Sequence, residues 1–138
     1  MADLNVDIVS PDGSVFRGQA SGVRAPGVEG SFEVRYNHAP MIAAFEVGSL
    51  MLTTTTGDRL AFATSGGFLE VLNNTVTVLA ETAEPASDID VERAKASEQR
   101  ALDVMQSSAA GSEERRRAER MLERARNRLR VSMGRVGN

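Results

Sequence analysis

Apolar and polar positions alternate with a period of two through much of residues 3–82. Leu4, Val6 and Ile8 interleave with polar neighbours, and Pro11-Asp12-Gly13 supplies a turn directly after them. Val15-Phe16, Val23–Ala25 and Phe32–Val34 are further short runs, punctuated by Gly18, Gly22, Pro26-Gly27 and Gly30. Leu50–Thr56 and Arg59–Thr64 meet around Gly57-Asp58, which predicts a hairpin. Phe68–Leu72 and Val76–Ala80 flank Asn73-Asn74, a second hairpin whose Asn residues tolerate positive φ. Many short strands at close spacing predict a sandwich or barrel, not a parallel sheet. No helix of useful length fits this region.

The period changes after Glu84-Pro85-Ala86-Ser87-Asp88. Pro85 ends the last strand, and Ser87 or Asp88 is placed to cap a helix running from about Ile89 to Gln106. Its first turn carries Asp90 and Glu92, and Val91, Ala94, Ala101, Val104 and Met105 are among its apolar positions. Ser107–Gly111 breaks the pattern. Ser112-Glu113-Glu114 then opens a second helix that Gly134 stops. Ala118, Leu122, Ala125, Leu129 and Met133 form its single narrow apolar stripe, opposite a face crowded with Arg. The short break makes the two helices antiparallel. At roughly 0.8 kcal/mol per buried methylene, their Ala-rich seam holds only weakly. Such a hairpin needs a partner surface, either the sandwich or another chain, and weak docking fits a movable element. The fold class is therefore α+β. A β-sandwich occupies residues 1–86 and a two-helix hairpin residues 87–138.

Charge sharpens this division. The net charge of −3 over 138 residues hides ten acids against four arginines in residues 1–87, but four acids against nine arginines in residues 112–138. Lys95 is the only lysine. A basic tail on an acidic body points to two parts with different partners. No apolar run approaches the roughly 18 residues of a membrane span, and the N-terminus has no basic and apolar leader. The absence of Cys removes disulfide scaffolds, thiol catalysis and zinc fingers. These features lead to the expectation of a soluble, cytosolic chain.

Little catalytic chemistry is on offer. His38, the one histidine, lies in the turn-like stretch Tyr36–Pro40, where it reads as a loop residue satisfying backbone groups. With no G-x-S-x-G elbow and no second His, neither a hydrolase triad nor a metal site is well served. There is no phosphate-binding G-x-x-x-x-G-K-[ST], and Lys95 is followed by Ala96. Ser65-Gly66-Gly67 reads as a bulge or tight turn.

The Arg-rich second helix has three readings. One is a solvated face, with Glu113–Arg117, Glu119–Arg115, and Glu123 with Arg120 or Arg126 pairing at helical spacing. Another is nucleic-acid binding, which the acidic remainder and scarce aromatic residues weaken. The third is a small-anion site. Antiparallel helices bring Arg93 near Arg124 and Arg128, and three guanidiniums converge only around an anion such as a polyphosphate.

The residues also resemble a known family. Ala63–Val71 and Asn74–Ala83 are similar to the signature of the epsilon subunit of bacterial and chloroplast F-type ATP synthases. Glu29-Gly30 and Asn37–Ile42 stand where that family has E-G-x-x-G-x-x-P-G-H-A-P-L. Ile89–Ala94 matches its I/L-D-x-x-R-A motif, and Arg124–Leu129 resembles its final helix. The likeness runs from about Leu4 to Val131. Two departures stand out: Glu33–Asn37 lacks the family's Pro and Gly residues, and Ser31 stands where some members carry an acid.

The resemblance implies an antiparallel sandwich of about ten strands that binds the gamma subunit and rests on the c-ring. Glu29, Ser31 and His38 lie at that interface. The chain would be a non-catalytic rotor subunit needing no cofactor. It would sit peripherally on the cytoplasmic face of a bacterial cell membrane, or the stromal face of a thylakoid. Its hairpin would switch between a docked form and an extended form that reaches the alpha and beta subunits and blocks ATP hydrolysis. Some members bind ATP in the docked form. Carried over by position, that implicates Ile89, Asp90, Arg93, Ala94, Arg124 and Arg128, with Arg100 as an addition. The alternative is a free-standing nucleotide or anion sensor of the same fold.

Overall fold

The computed structural model describes residues 3–134. Eight strands precede two helices among them. They are β1 (Leu4–Ser10), β2 (Gly13–Ala20), β3 (Gly22–Ala25), β4 (Phe32–Arg35), β5 (Met41–Thr53), β6 (Arg59–Leu72), β7 (Thr75–Ala80), β8 (Ala83–Pro85), α1 (Val91–Ser107) and α2 (Glu113–Ser132). A 3-10 turn at Ala86–Asp88 joins sandwich to hairpin.

Hydrogen bonding runs β2-β1-β7-β6-β5-β3-β4, with β8 also on β6. Two strands are longer than the sequence pattern shows: β5 has 13 residues, and β6, with 14, joins the runs read separately at Arg59–Thr64 and Phe68–Leu72. These two pair along their length and serve both layers. β6 holds β8 through Phe62–Thr64 and β7 through Gly67–Leu72, changing partner at Ser65-Gly66. One pair departs from the antiparallel pattern: β1 lies parallel to β7, with Val6 opposite Val76 and Ile8 opposite Val78.

Alternation places Leu4, Val6 and Ile8 of β1, Val76 and Val78 of β7 and Leu69 and Val71 of β6 inside. They share one core with Val23, Val34, Leu50, Leu52 and Phe62 from the other layer. Phe16 meets Phe62 edge to face at 6.1 Å between ring centres. Gly67 is required where β6 passes β7, because a Cβ there would lie 2.1 Å from the Leu79 carbonyl oxygen. Asn73 and Asn74, with φ of 51° and 59°, make the predicted tight turn between β6 and β7.

The hairpin forms as the pattern predicts, with local corrections. Asp90, rather than Ser87 or Asp88, caps α1, its carboxylate accepting from the Arg93 N–H at 3.1 Å. The preceding residues are taken up by the 3-10 turn. Ser112 caps α2 in the same way through Arg115 N–H. Ala94 and Ala101 of α1 and Ala118, Leu122, Ala125 and Leu129 of α2 are buried, confirming a thin seam of mostly Ala. Met133 does not join it: it is the C-cap residue and is 58% exposed.

Candidate functional site at the hairpin junction

α2 turns a second face toward β5 and β6. Val131 packs with Ala63 of β6 and Ile89, with Ala61 and Ala86 at the margin. Beside this small cluster, Arg128 donates from Nε to Glu84 Oε1 at 2.9 Å and from Nη2 to Oε2 at 3.4 Å. The buried Asn127 side chain donates to the backbone carbonyls of Gly48 and Thr64. Among the described residues, hairpin and sandwich are thus joined by a few small apolar side chains, one ion pair and one carboxamide.

A cavity of about 400 Å³ opens at this junction. Arg124, Arg128 and Ser97 line it from the hairpin, and Asp12, Ser65 and Glu84 from the sandwich. Of the four arginines singled out in the sequence, Arg124 and Arg128 come together here. Arg124 has no ion-pair partner within 4.0 Å among the described residues, while Arg128 is held by Glu84. Arg93 and Arg100 do not line the cavity. Both are exposed on α1, where Arg100 bonds the Ser97 hydroxyl at 3.1 Å. Asp90 is the α1 cap, Ile89 belongs to the small junction cluster and Ala94 is fully buried. Two guanidiniums and several hydroxyls line this space, with Arg128 engaged by Glu84.

The solvated-face pairings are mixed. Glu113 meets Arg117 at 4.0 Å and Arg116 at 3.0 Å, whereas Arg126 crosses to Glu98 of α1 at 3.0 Å instead of pairing with Glu123. Glu84 and Asn127 were not singled out in the sequence. An Asn within an Arg-rich helix carries no local signal that it faces inward.

Glu29 and Ser31 lie exposed between β3 and β4. His38 is half-buried, its Nδ1 bonded to the Ala39 carbonyl at 2.8 Å, as expected of a loop histidine. The stretch lacking the family's Pro and Gly residues keeps an ordered path. β4 runs through Glu33–Arg35, and Asn37 adopts φ of 66° where a Gly would be the usual choice. Its N–H donates to Asn74 Oδ1 at 2.6 Å, tying this loop to the β6–β7 turn.

An exposed apolar group crosses the outer face of the sandwich. Phe68 and Leu79 are cross-strand partners, 57% and 55% exposed, and Ile42 on β5 is 73% exposed. Among the described residues no helix is long and apolar enough to cross a membrane.

Sandwich and hairpin together define a small two-part protein whose features are surfaces and a junction. Residues 3–86 match the family described as ATP synthase, Delta/Epsilon chain, beta-sandwich domain, and residues 87–133 its long alpha-helix domain. The ATP synthase epsilon chain of Salinibacter ruber is 59% identical over 146 aligned residues, covering 99% of this chain and 97% of that one. That of an Exiguobacterium species is 43% identical, covering 95% and 96%. A chain in the Euglena gracilis mitochondrial ATP synthase structure (OSCP/F1/c-ring) shares the fold with a TM-score of 0.80 at 21% identity, covering 92% of this chain and 79% of that one. A chain from the Tetrahymena thermophila central stalk and c-ring gives 0.58 at 14%, covering 94% and 96%. The chain belongs to the ATP synthase delta/epsilon-chain family. It is a subunit of that kind, not a catalytic chain.

Proposed function

We propose that the chain is the non-catalytic central-stalk subunit of a proton-translocating F-type ATP synthase, peripheral to the cytoplasmic face of the membrane. The sandwich couples the rotor by binding the gamma subunit and the c-ring. The exposed Ile42, Phe68 and Leu79 support this by offering an apolar face to a partner, and Glu29 and Ser31 are exposed in the loop that precedes β4 while His38 lies in the loop that follows it.

The hairpin acts as a brake on ATP hydrolysis. It is docked in this structure and reaches the alpha and beta subunits when extended. The observation that carries this reading is the junction itself, where a small cluster, one ion pair and one carboxamide hold an Arg-rich hairpin against the sandwich. ATP would favour the docked form by binding, without being hydrolysed, beside Arg124 and Arg128. Asp90, Ile89 and Ala94 serve that site by holding the start of α1 in place, and Arg93 and Arg100 require side-chain movement to join it.

ATP hydrolysis by the catalytic complex lacking this subunit tests the reading. Full-length chain and residues 1–87 are added back separately. The sandwich core lies wholly within residues 4–83, so the shorter chain retains it. Inhibition by the full-length chain alone is expected. Equal inhibition by both, or by neither, contradicts the brake.

A further inference from the structure

Thr64 and Asn127 are the two buried polar side chains among the described residues, 2% and 3% exposed, and they occupy the same spot. Asn127 Nδ2 donates to the carbonyl oxygen of Gly48 at 2.7 Å and to that of Thr64 at 3.4 Å. Gly48 and Thr64 are opposed across β5 and β6, so one carboxamide spans both central strands. The Thr64 hydroxyl is used locally, accepting from the Gly66 N–H at 3.2 Å.

This contact is selective for one placement of α2. One turn away in either direction stand Glu123 and Val131, and three residues away Arg124 and Arg130. None supplies a short neutral donor. A hairpin that slides by a turn loses both bonds and sets an unsuitable group against the carbonyls. Buried polar contacts of this kind fix register.

The chemistry also suits a seam that opens. On release, the carboxamide and the exposed carbonyls bond water, so the open state keeps its hydrogen bonds. An apolar side chain in the same position would leave an unhydrated patch whenever the hairpin lifted. The apolar cluster beside it is small, so the carboxamide has a large share in deciding the docked state.

We propose that Asn127 is the latch of the docked hairpin: bonding across the Gly48–Thr64 pair, it sets the register of α2 on the sandwich and the ratio of docked to released hairpin. This rests on the reading of the hairpin as a movable element, and it adds the residue that sets the balance.

The test uses the isolated full-length chain without nucleotide. The chain has no Cys, so Ser14→Cys and Ala96→Cys accept spin labels cleanly. Both positions are exposed and flank the junction cavity, to which Asp12 and Ser97 contribute. Electron–electron distance distributions then report the two hairpin states. Asn127→Ala is expected to raise the ratio of released to docked hairpin about tenfold. Alanine is the best helix former, so a weakened helix does not explain that result. Asn127→Asp, which keeps the shape but loses the donor, is expected to act in the same direction. Amide exchange in β6 and β7 checks that the sandwich is intact in both variants.

An unchanged distance distribution in Asn127→Ala overturns the latch, as does equal loss of protection in hairpin and sandwich. The brake itself is judged separately, by wild-type inhibition of ATP hydrolysis. A chain that opens on substitution but never inhibits keeps the latch and loses the brake. A chain that inhibits but does not open on substitution loses only the latch.

Discussion

Arg128 and Glu84 face each other across the hairpin–sandwich junction, two guanidinium nitrogens on two carboxylate oxygens at 2.9 and 3.4 Å. Arg124, one turn earlier on α2, lines the same cavity without an ion pair among the described residues. The two arginines therefore predict different phenotypes. Arg128→Ala loosens docking by about 1 kcal/mol, the partly exposed pair being worth little more, and also weakens ATP binding. Arg124→Ala weakens ATP binding at least tenfold and leaves docking unchanged. Calorimetric titration with ATP, combined with thermal unfolding at low and high salt, separates them. Arg128→Ala alone should remove part of the salt dependence of unfolding.

Asp90 carries two roles, one as the structural cap of α1 and one as a proposed contributor to the nucleotide site. Asp90→Ala removes the acceptor for Arg93 N–H and is expected to cost about 1 kcal/mol of hairpin stability. Asp90→Asn keeps a good cap and costs only a few tenths. If Asp90→Asn nevertheless abolishes ATP binding, the carboxylate acts on the ligand rather than through the helix.

Adjacent residues of β6 separate fold from partner. Leu69 is fully buried, so Leu69→Ala should destabilise the sandwich by about 2–5 kcal/mol. Phe68 is 57% exposed on the outer face. Phe68→Ser should leave the melting temperature nearly unchanged yet weaken binding of the gamma subunit in a pull-down from purified components. Loss of stability with intact gamma binding would place the partner elsewhere.

Asn37 stands at φ of 66° and is tied to Asn74 through its backbone N–H. Asn37→Gly retains access to this conformation and should be close to neutral. Asn37→Val should cost about 1–2 kcal/mol, because a β-branched residue is strained there. Denaturant midpoints of the two variants check this directly.

The sandwich was legible because its burial is periodic: Leu4, Val6 and Ile8 alternate, and Asn73-Asn74 marks a turn by its chemistry. Strand length was not legible, because residues 65–67 look like a break in sequence. In the structure Ser65-Gly66 is where β6 changes partner while staying paired to β5. The parallel pairing of β1 with β7 joins residues about seventy apart, which local pattern cannot encode.

In the hairpin, the Ala-rich stripe against α1 was visible at i+3 and i+4 spacing. The face against the sandwich was not, because its inward residues are Asn127 and Val131 among arginines, with no apolar repeat. Likewise Glu84 stood out only once Arg128 lay beside it. The convergence of Arg124 and Arg128 followed from helix geometry, whereas Arg93 is exposed and does not line their cavity.

The most direct measurement tethers the hairpin. Ser14→Cys/Ala96→Cys chain, bridged by a flexible cleavable bis-maleimide, is added to the catalytic complex lacking this subunit, and ATP hydrolysis is followed before and after cleavage. The account predicts no inhibition while the hairpin is tethered and inhibition restored on cleavage. Full inhibition by the tethered chain would contradict it, because the docked hairpin would then itself be the brake.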